Sequence, residues 1–390
     1  MAVDLVPVGP EPRDVLRALR RTLDGAGPAL ALGAAPVARP AGGAPRSAPA
    51  GTAAVVTTSG STGVPKSVVI SRSALIASAT ATAERIGEGR WLLALSPTYV
   101  AGLQVLVRGL LAGHEPAVLS GSFSPAAFAA VTASMRSSIG GRAVPAYTSL
   151  VPAQLSALLD AAQTDAAVAA SLRAYEAILV GGQALPAAQR ERAHAAGARI
   201  VRTYGSTETS GGCVYDGRPL SGVSVRVSAG EVQLGGVTLA EGYLGEDERT
   251  AEVFLTEEGT RWYRTGDAGE VRDGVLQVTG RIDNVIVSGG VNVSLDRVES
   301  VVRELPGLHA AVVSPVVDER WGEASVVVVE AAALSDAGLD SDAALVALRG
   351  AVAERLGRPA RPARVVEVEA LPMLASGKPD RSAVRRMLAI

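Results

Sequence analysis

The sequence predicts an α/β protein. A large N-terminal layered α/β domain carries a small β-rich subdomain, and a small C-terminal α+β domain follows. Three observations carry this expectation. Between residues 53 and 205, segments rich in Val, Ile and Leu alternate with helix-like stretches, as layered folds with a substantially parallel sheet require. From about 221 the texture shifts to short alternating strands around tight turns, and after 284 to a smaller mixture of strands and helices. A length of 390 residues also favours two or three domains, because one hydrophobic core stops growing well before it.

In chain order, residues 25–54 are dominated by Ala, Gly and Pro and read as a connector or as loops around short strands. AAVVTT (53–58) reads as a buried strand, SGSTGVPK as a loop, and the β-branched SVVIS (67–71) as a second strand. Ser73 to Ile86 suits a helix, WLLAL (91–95) a strand, GLQVLVRGLLAG (102–113) an apolar helix and PAVLS a strand. Helix-like stretches at 124–135 and 151–163 precede strand EAILVG (176–181), a helix at 186–196 and strand ARIVRTYG (198–205). In the β-rich part, Asp273-Gly274 marks a hairpin. The last part reads as strand 284–288, helix 294–304, strands 310–317 and 323–330, helix 342–356 and strand 364–368. The boundary is placed near Asp283, giving domains 1–282 and 283–390. No repeat of fixed period is present.

Composition excludes several classes. Lys and Arg number 37 against 39 Asp and Glu, a net charge of -2, so no broad basic field exists to hold nucleic acid or an anionic membrane. The single cysteine, Cys213, cannot form an internal disulfide or a cysteine cluster, and three scattered histidines argue against a His-rich metal site. The start, MAVDLVPVGPEPRD, lacks a basic n-region, and the greasiest stretch, 324–334, is broken by Glu330. A soluble cytoplasmic protein is expected. Aromatic residues are only 3%, so small and aliphatic side chains are expected to wall any pocket.

Three loops have nucleotide chemistry. In TTSGSTGVPKS (57–67), Gly60 and Gly63 free the backbone, Ser59, Ser61 and Thr62 add hydroxyls, and Lys66 adds a mobile positive charge. The pattern approaches a P-loop, but Pro65 replaces the second glycine and removes an N–H, and the run that follows is a poor helix start. A plain surface turn has the same composition. In VRTYGSTETSGG (201–212), Tyr204 can stack on a base, the Thr207 hydroxyl can reach a phosphate, and Glu208 can hold Mg2+, which takes few protein ligands and keeps water. A polar loop with an incidental acid is the alternative. In WYRTGDAG and TGRIDNVIVSGGVNVS, Asp267 can accept from both ribose hydroxyls and Arg281 can donate to the same sugar; a simple ion pair between neighbouring turns uses the same two residues.

Together these loops resemble the adenylate-forming superfamily of acyl-CoA synthetases, peptide-synthetase adenylation domains and luciferases, in order over roughly residues 53–382. TSGSTGVPK looks like its phosphate loop, YGSTE its adenine and Mg2+ motif, YRTGD and GRIDNVIVSGGVNVS its ribose and hinge motifs, and LPMLASGKPDR (371–381) its terminal lysine motif. Within it, AGLQVLVRGLLAG, TSLVPAQLSALL, LVGGQALP and YGSTETSGGCVYDGRPLSGV are most similar to the short actinobacterial-type 2-succinylbenzoate–CoA ligases of menaquinone synthesis. Ser67 stands where relatives usually have glycine, and SPTYV departs from a region that often carries a histidine or an aromatic.

The resemblance implies ATP and coenzyme A as co-substrates, Mg2+ as cofactor, and a carboxylic acid as the third substrate; a homodimer is a compatible assembly. The acid attacks the α-phosphate, pyrophosphate leaves, and the thiol then displaces AMP. It implies catalytic roles for Lys378, Thr207 and Glu208, with Glu208 also the metal ligand. ATP contacts fall on Thr58, Ser59, Gly60, Ser61, Thr62, Gly63, Lys66, Gly181, Gly182, Gln183, Thr203, Tyr204, Gly205, Ser206, Asp267 and Arg281. The acid falls to Gln104, Arg108, Gly211 and Gly212. Asp283 becomes a hinge that makes the C-terminal domain mobile, and Gly289 and Gly290 line a thiol channel, for which a simple Gly-Gly turn is the bland competitor. Arg108, four residues after Gln104 on one helix face, would meet a second substrate carboxylate; snorkelling to the surface or pairing with Glu115 competes equally. Other acids, or a P-loop-like ATPase without ligase activity, are the rival functions.

Overall fold

Two buried strands flank the glycine–serine segment. In the computed structural model, which describes residues 2–33, 47–58, 65–135, 137–374 and 377–388, strand Thr52–Thr58 is buried along nearly all its length and pairs antiparallel with Lys66–Ser71, Thr58 opposite Lys66. They belong to a six-stranded sheet ordered Gly242–Tyr243, Lys66–Ser71, Thr52–Thr58, Ala29–Leu32, Ala2–Pro7, Ser47–Pro49. A strand, not a helix, therefore follows the loop. This is the wrong geometry for a P-loop, whose phosphate cradle opens a helix.

The second sheet has seven strands, ordered Arg218–Pro219, Gly211–Tyr215, Ile200–Ser206, Ala177–Val180, Ala146–Leu150, Arg90–Leu93, Ala117–Val118. The last five run parallel, while Gly211–Tyr215 returns antiparallel on Ile200–Ser206. Helices Pro12–Leu23, Arg72–Ile86 and Val100–Leu111 lie between the two sheets. Leu16, Leu75 and Leu106 join Val56 and Ile70 of one sheet and Trp91 and Leu179 of the other in one core. Ser71 caps the helix Arg72–Ile86 by accepting from the Ala74 amide at 3.3 Å. The helix Val100–Leu111 is buried from Gly102 to Gly109, which is why apart from Gln104 and Arg108 that stretch is apolar. On the far face of the seven-stranded sheet, Phe128, Leu155, Leu172 and Ala193 bring four further helices onto Ile178 and Val180. A fully buried leucine such as Leu155 contributes about 1.5–3 kcal/mol.

The β-rich part is a five-stranded antiparallel sheet around the long strand Thr260–Arg272. Its hairpin partner Val275–Arg281 sets Asp267 directly opposite Arg281, with Asp273-Gly274 as the expected turn. After Arg281 the chain changes sheet. Val285–Ser288 and Val291–Ser294 form a hairpin beside Gly322–Glu330, which also pairs with Val312–Asp318 and Arg364–Val368. Val298 and Val302 of helix Leu295–Val302 and Leu348 of helix Ser341–Leu356 cover one face of this sheet. Val384 of helix Arg381–Leu388 packs on Val312, Val326 and Val328.

The structure adds to the sequence reading near the start, where strand Ala2–Pro7 and helix Pro12–Leu23 build a sheet edge and part of the core. Residues 25–54 hold strands Ala29–Leu32 and Ser47–Pro49, and 34–46 lie outside the described residues. Among the described residues no helix is long and apolar enough to cross a membrane.

Candidate active site

The site gathers at the carboxyl ends of two parallel neighbours, Ala177–Val180 and Ile200–Ser206, the usual place for ligands in open α/β sheets. Gly181, Gly182 and Gln183 form the turn after the first strand. Thr203, Tyr204, Gly205 and Ser206 end the second, and Thr207–Thr209 is a single 3-10 turn. Lys66, the first residue of its strand in the six-stranded sheet, reaches this place: its Nζ lies 3.9 Å from Glu208 Oε1. Thr58 ends the partner strand; Ser59, Gly60, Ser61, Thr62 and Gly63 lie outside the described residues.

Glu208 is buried, and its Oε1 accepts the Tyr243 hydroxyl at 2.9 Å. Its backbone carbonyl accepts the Ala240 amide at 2.8 Å, so strand Gly242–Tyr243 and its approach fix the acid. Burial lowers the Lys66 pKa, and Glu208 opposes that shift. Tyr243 is pushed the other way by burial and by Glu208, so its phenol stays a donor.

Asp267 and Arg281 meet across their hairpin with Nη1 to Oδ1 at 3.3 Å. The ion pair named as the bland alternative therefore exists, and it does not exhaust either residue. Asp267 Oδ2 takes the Tyr204 hydroxyl at 2.6 Å, leaving lone pairs of both oxygens open. Burial raises the Asp267 pKa, while Tyr204 and Arg281 pull it back down. Arg281 gives Nη1 to the Thr265 carbonyl at 2.7 Å and holds Asp283 with Nε and Nη2, both at 3.0 Å. One Nη2 hydrogen is left over.

Lys378 comes from the other domain. Its loop is closed by the Leu374 amide donating to the Lys378 carbonyl at 2.7 Å. A Cβ on Gly182 would stand 3.2 Å from Lys378 Cε, and Gly182 holds φ at +83°, so a side chain there is both strained and in the way. One on Gly377 would meet Val151 at 3.3 Å. The lysine lines a cleft open to solvent, yet the protein around it lowers its pKa by desolvation.

Gln104 and Arg108 both face strand Gly211–Tyr215. Gln104 Nε2 donates to the Ser210 carbonyl at 2.8 Å and its Oε1 is buried without a partner. Gly211 sits against Gln104, and Gly212 follows on the same strand. Arg108 is buried, and its Nη2 donates to the Tyr215 hydroxyl at 3.3 Å. Glu115 does not pair with it: that acid lies 3.3 Å from Arg20 at the surface. Nor does the guanidinium snorkel, since Arg108 is only 7% exposed. Gly289 and Gly290, at φ +57° and +81°, are the two central residues of a tight hairpin, and the Gly289 amide donates to the Trp321 carbonyl at 2.9 Å. Asp283 lies between the last strand of one sheet and the first of the next.

Residues 12–244 match the AMP-binding enzyme family, and residues 297–378 match the AMP-binding enzyme C-terminal domain. The chain belongs to the AMP-binding enzyme family. It is 40% identical over 393 residues to a probable 2-succinylbenzoate–CoA ligase of Mycobacterium tuberculosis, covering 98% of this chain and 97% of that protein. It is 33% identical over 284 residues to the 2-succinylbenzoate–CoA ligase of Escherichia coli, covering 70% of this chain and 57% of the relative. An arginine-to-lysine variant of E. coli MenE with bound OSB-AMS superposes with TM-score 0.70 at 27% identity, over 95% of this chain and 79% of that one. Bacillus subtilis MenE in complex with OSB-AMP has the same fold, with TM-score 0.73 at 22% identity, over 98% of this chain and 83% of that one.

Sequence reasoning missed Tyr243 as the partner of Glu208, and Tyr263, which is buried beside Ser206 and Glu208. The available signal was scarcity. Only seven tyrosines occur in the chain; Tyr204, Tyr243 and Tyr263 stand against Asp267, Ser206 and Glu208, and Tyr215 against Arg108. Cys213 is fully buried, and burial pushes its thiol up to about 12, so it packs rather than reacts. His309 is tied to the Arg303 carbonyl, remote in the C-terminal unit.

Proposed function

We propose that this AMP-binding enzyme is an acid–CoA ligase that adenylates 2-succinylbenzoate at the expense of ATP, releasing pyrophosphate, and passes the acyl group to coenzyme A, releasing AMP, as a step of menaquinone biosynthesis. The near full-length likeness to the mycobacterial ligase supports the reaction class. The observation that carries the choice of acid is Arg108. A buried guanidinium with no carboxylate within ion-pair distance, among the described residues, is costly unless the substrate brings the counter-charge. Succinylbenzoate has a carboxylate to react and a second to bind.

Adenylation brings one anion to another, so the protein's task is charge neutralisation and positioning. Lys378 bridges the attacking carboxylate and the α-phosphate. Lys66 and the hydroxyls of the 58–63 loop hold the β- and γ-phosphates, and Thr207 the α-phosphate. Tyr204 orients Asp267 for the ribose hydroxyls, with the spare Arg281 hydrogen beside it, and Gly181, Gly182 and Gln183 flank adenine. Asp283 is the hinge between domains 1–282 and 283–390, and the Gly289–Gly290 turn borders the thiol's path after the swing.

Magnesium fits the donor set. Glu208 is a single carboxylate with only Oε1 engaged among the described residues, and no cluster of three acids, histidines or cysteines exists among them. Mg2+ bound this way takes its other ligands from phosphates and water. When bound it neutralises phosphate charge; Glu208 would hold it. A cytoplasmic location and a homodimeric assembly belong to the same proposal.

The test is coenzyme A-dependent AMP release over a panel of carboxylic acids. Succinylbenzoate is expected to give the highest kcat/KM, and Arg108→Gln to lower it roughly 100-fold or more while sparing monocarboxylates. Release of ADP and phosphate instead of AMP and pyrophosphate would rule the reaction out. Equal loss on every acid would make Arg108 structural.

A further inference from the structure

Arg108 ends a directed chain of hydrogen bonds. Thr82 Oγ1 gives its one hydrogen to the Ser78 carbonyl at 2.9 Å. Toward Tyr215, 2.9 Å away, Thr82 can therefore only accept. The Tyr215 hydroxyl must donate to Thr82, which leaves its oxygen lone pairs for Arg108 Nη2 at 3.3 Å. The order of donation is Arg108 to Tyr215 to Thr82 to the backbone of helix Arg72–Ile86. On another side the guanidinium carbon lies 5.1 Å from the centre of the Trp91 ring, and Trp91 is stacked on Tyr147 at 5.2 Å and 27°. Nε remains buried and unpartnered.

We propose that Tyr215, braced by Thr82, is a positioning residue that fixes the Arg108 guanidinium and thereby selects acids carrying a second carboxylate. This rests on the reading of Arg108 given above and names what enforces it. The helix Val100–Leu111 and the strand Gly211–Tyr215 run side by side, joined by Gln104 to Ser210 at one end and by Arg108 to Tyr215 at the other. Gln104 and Arg108 are four residues apart, so both rungs leave one face of the helix. The selected class is therefore an acid with a second carboxylate that can reach the held guanidinium. A loose arginine would pair with acids of many lengths, whereas one held by a neutral acceptor and a ring face keeps its remaining donors on a single point.

The experiment compares 2-succinylbenzoate with 3-benzoylpropionate, the same skeleton without the ring carboxylate. Tyr215→Phe removes the acceptor and leaves an Arg108 donor unpaired. It is expected to lower kcat/KM for succinylbenzoate roughly 10- to 100-fold, mainly through KM, and to leave benzoylpropionate unchanged. Thr82→Val reads the same relay from its other end and should give the same selective loss; Thr82→Ser, which keeps the hydroxyl, should restore the selectivity. Thermal melts of each variant check folding. Equal losses on both acids, or no loss on either, would overturn the relay. Arg108→Gln on the same two acids separates the levels. If its loss is confined to succinylbenzoate while Tyr215→Phe is silent, the relay fails and the Arg108 reading stands. If its loss is equal on both acids, that underlying reading fails.

Discussion

In the proposed mechanism Lys378 places one positive charge between two anions, so its protonation state sets the rate of the first half-reaction. Its cleft lowers the pKa from an ordinary value of 10.5 by desolvation. Only the ammonium form can bridge the carboxylate and the phosphate. Adenylation is therefore full below the lysine's pKa and is lost as pH rises through it. The pH profile of kcat/KM for adenylation should show an alkaline limb below the normal lysine range, and thioester formation from supplied acyl-adenylate should lack that limb. Lys378→Ala should slow adenylation by ~10²–10³, the scale for losing one preorganised donor, and spare the thiol step. Equal loss in both steps would refute the division of labour. This lysine was legible in the sequence because Gly377 and Pro379 flank it within a recognisable motif. Tyr243 was not, because its tie to Glu208 spans 35 residues and leaves no local pattern.

At the scale of elements, the lysine loop is held by helix Leu295–Val302. Glu299 is 5% exposed and accepts from Arg381 at 2.7 Å, three residues after Lys378; it also pairs with Arg303 at 3.0 Å and takes the Val313 amide at 2.9 Å. Removing its charge leaves the buried Arg303 without compensation. Glu299→Gln is expected to destabilise the C-terminal unit by about 3 kcal/mol, read as a lower calorimetric Tm, and to slow adenylation as the loop loosens. A loss under about 1 kcal/mol would mean that the pair is solvated in practice. Helices Arg72–Ile86 and Ser341–Leu356 were legible to within a few residues because long runs rich in Ala and free of proline favour helix. Helix Pro12–Leu23 was overlooked although the signal was there: Val15, Leu16 and Leu19 make a buried stripe opposite the charged face of Arg13, Arg17, Arg20 and Arg21. Strand Ala29–Leu32 was ambiguous because Ala and Leu do not choose strand on their own. Its pairing with Ala54–Val56 decides, and sequence-local reasoning does not see it.

For the whole molecule, contacts on two sides tie the C-terminal part to the rest. Lys378 lies against Gly182, and Asp296 accepts the Arg281 amide at 2.7 Å while also taking the Asn284 side chain at 2.8 Å. In the proposed reaction this is the arrangement that adenylation needs, because it puts the ammonium in the cleft, and the thiol step needs another, since the same face must open to admit coenzyme A. The proposed pivot is where the chain leaves one sheet and enters the next, between Arg281 and Val285. Asp283 sits there half-exposed, and among the described residues its side chain is clasped by Arg281 across two residues. A proline at this position would fix φ near -65°, and because it also deletes the clasp on Arg281, Asp283→Ala is the control that removes the clasp alone. Measured against Asp283→Ala, Asp283→Pro should retain adenylation, followed by pyrophosphate release in a single turnover. Transfer from supplied acyl-adenylate to coenzyme A should slow by roughly tenfold or more, because the second orientation becomes hard to reach. If both half-reactions keep their wild-type rates, the pivot is elsewhere, and the sheet change at Arg281 is a feature of the fold alone.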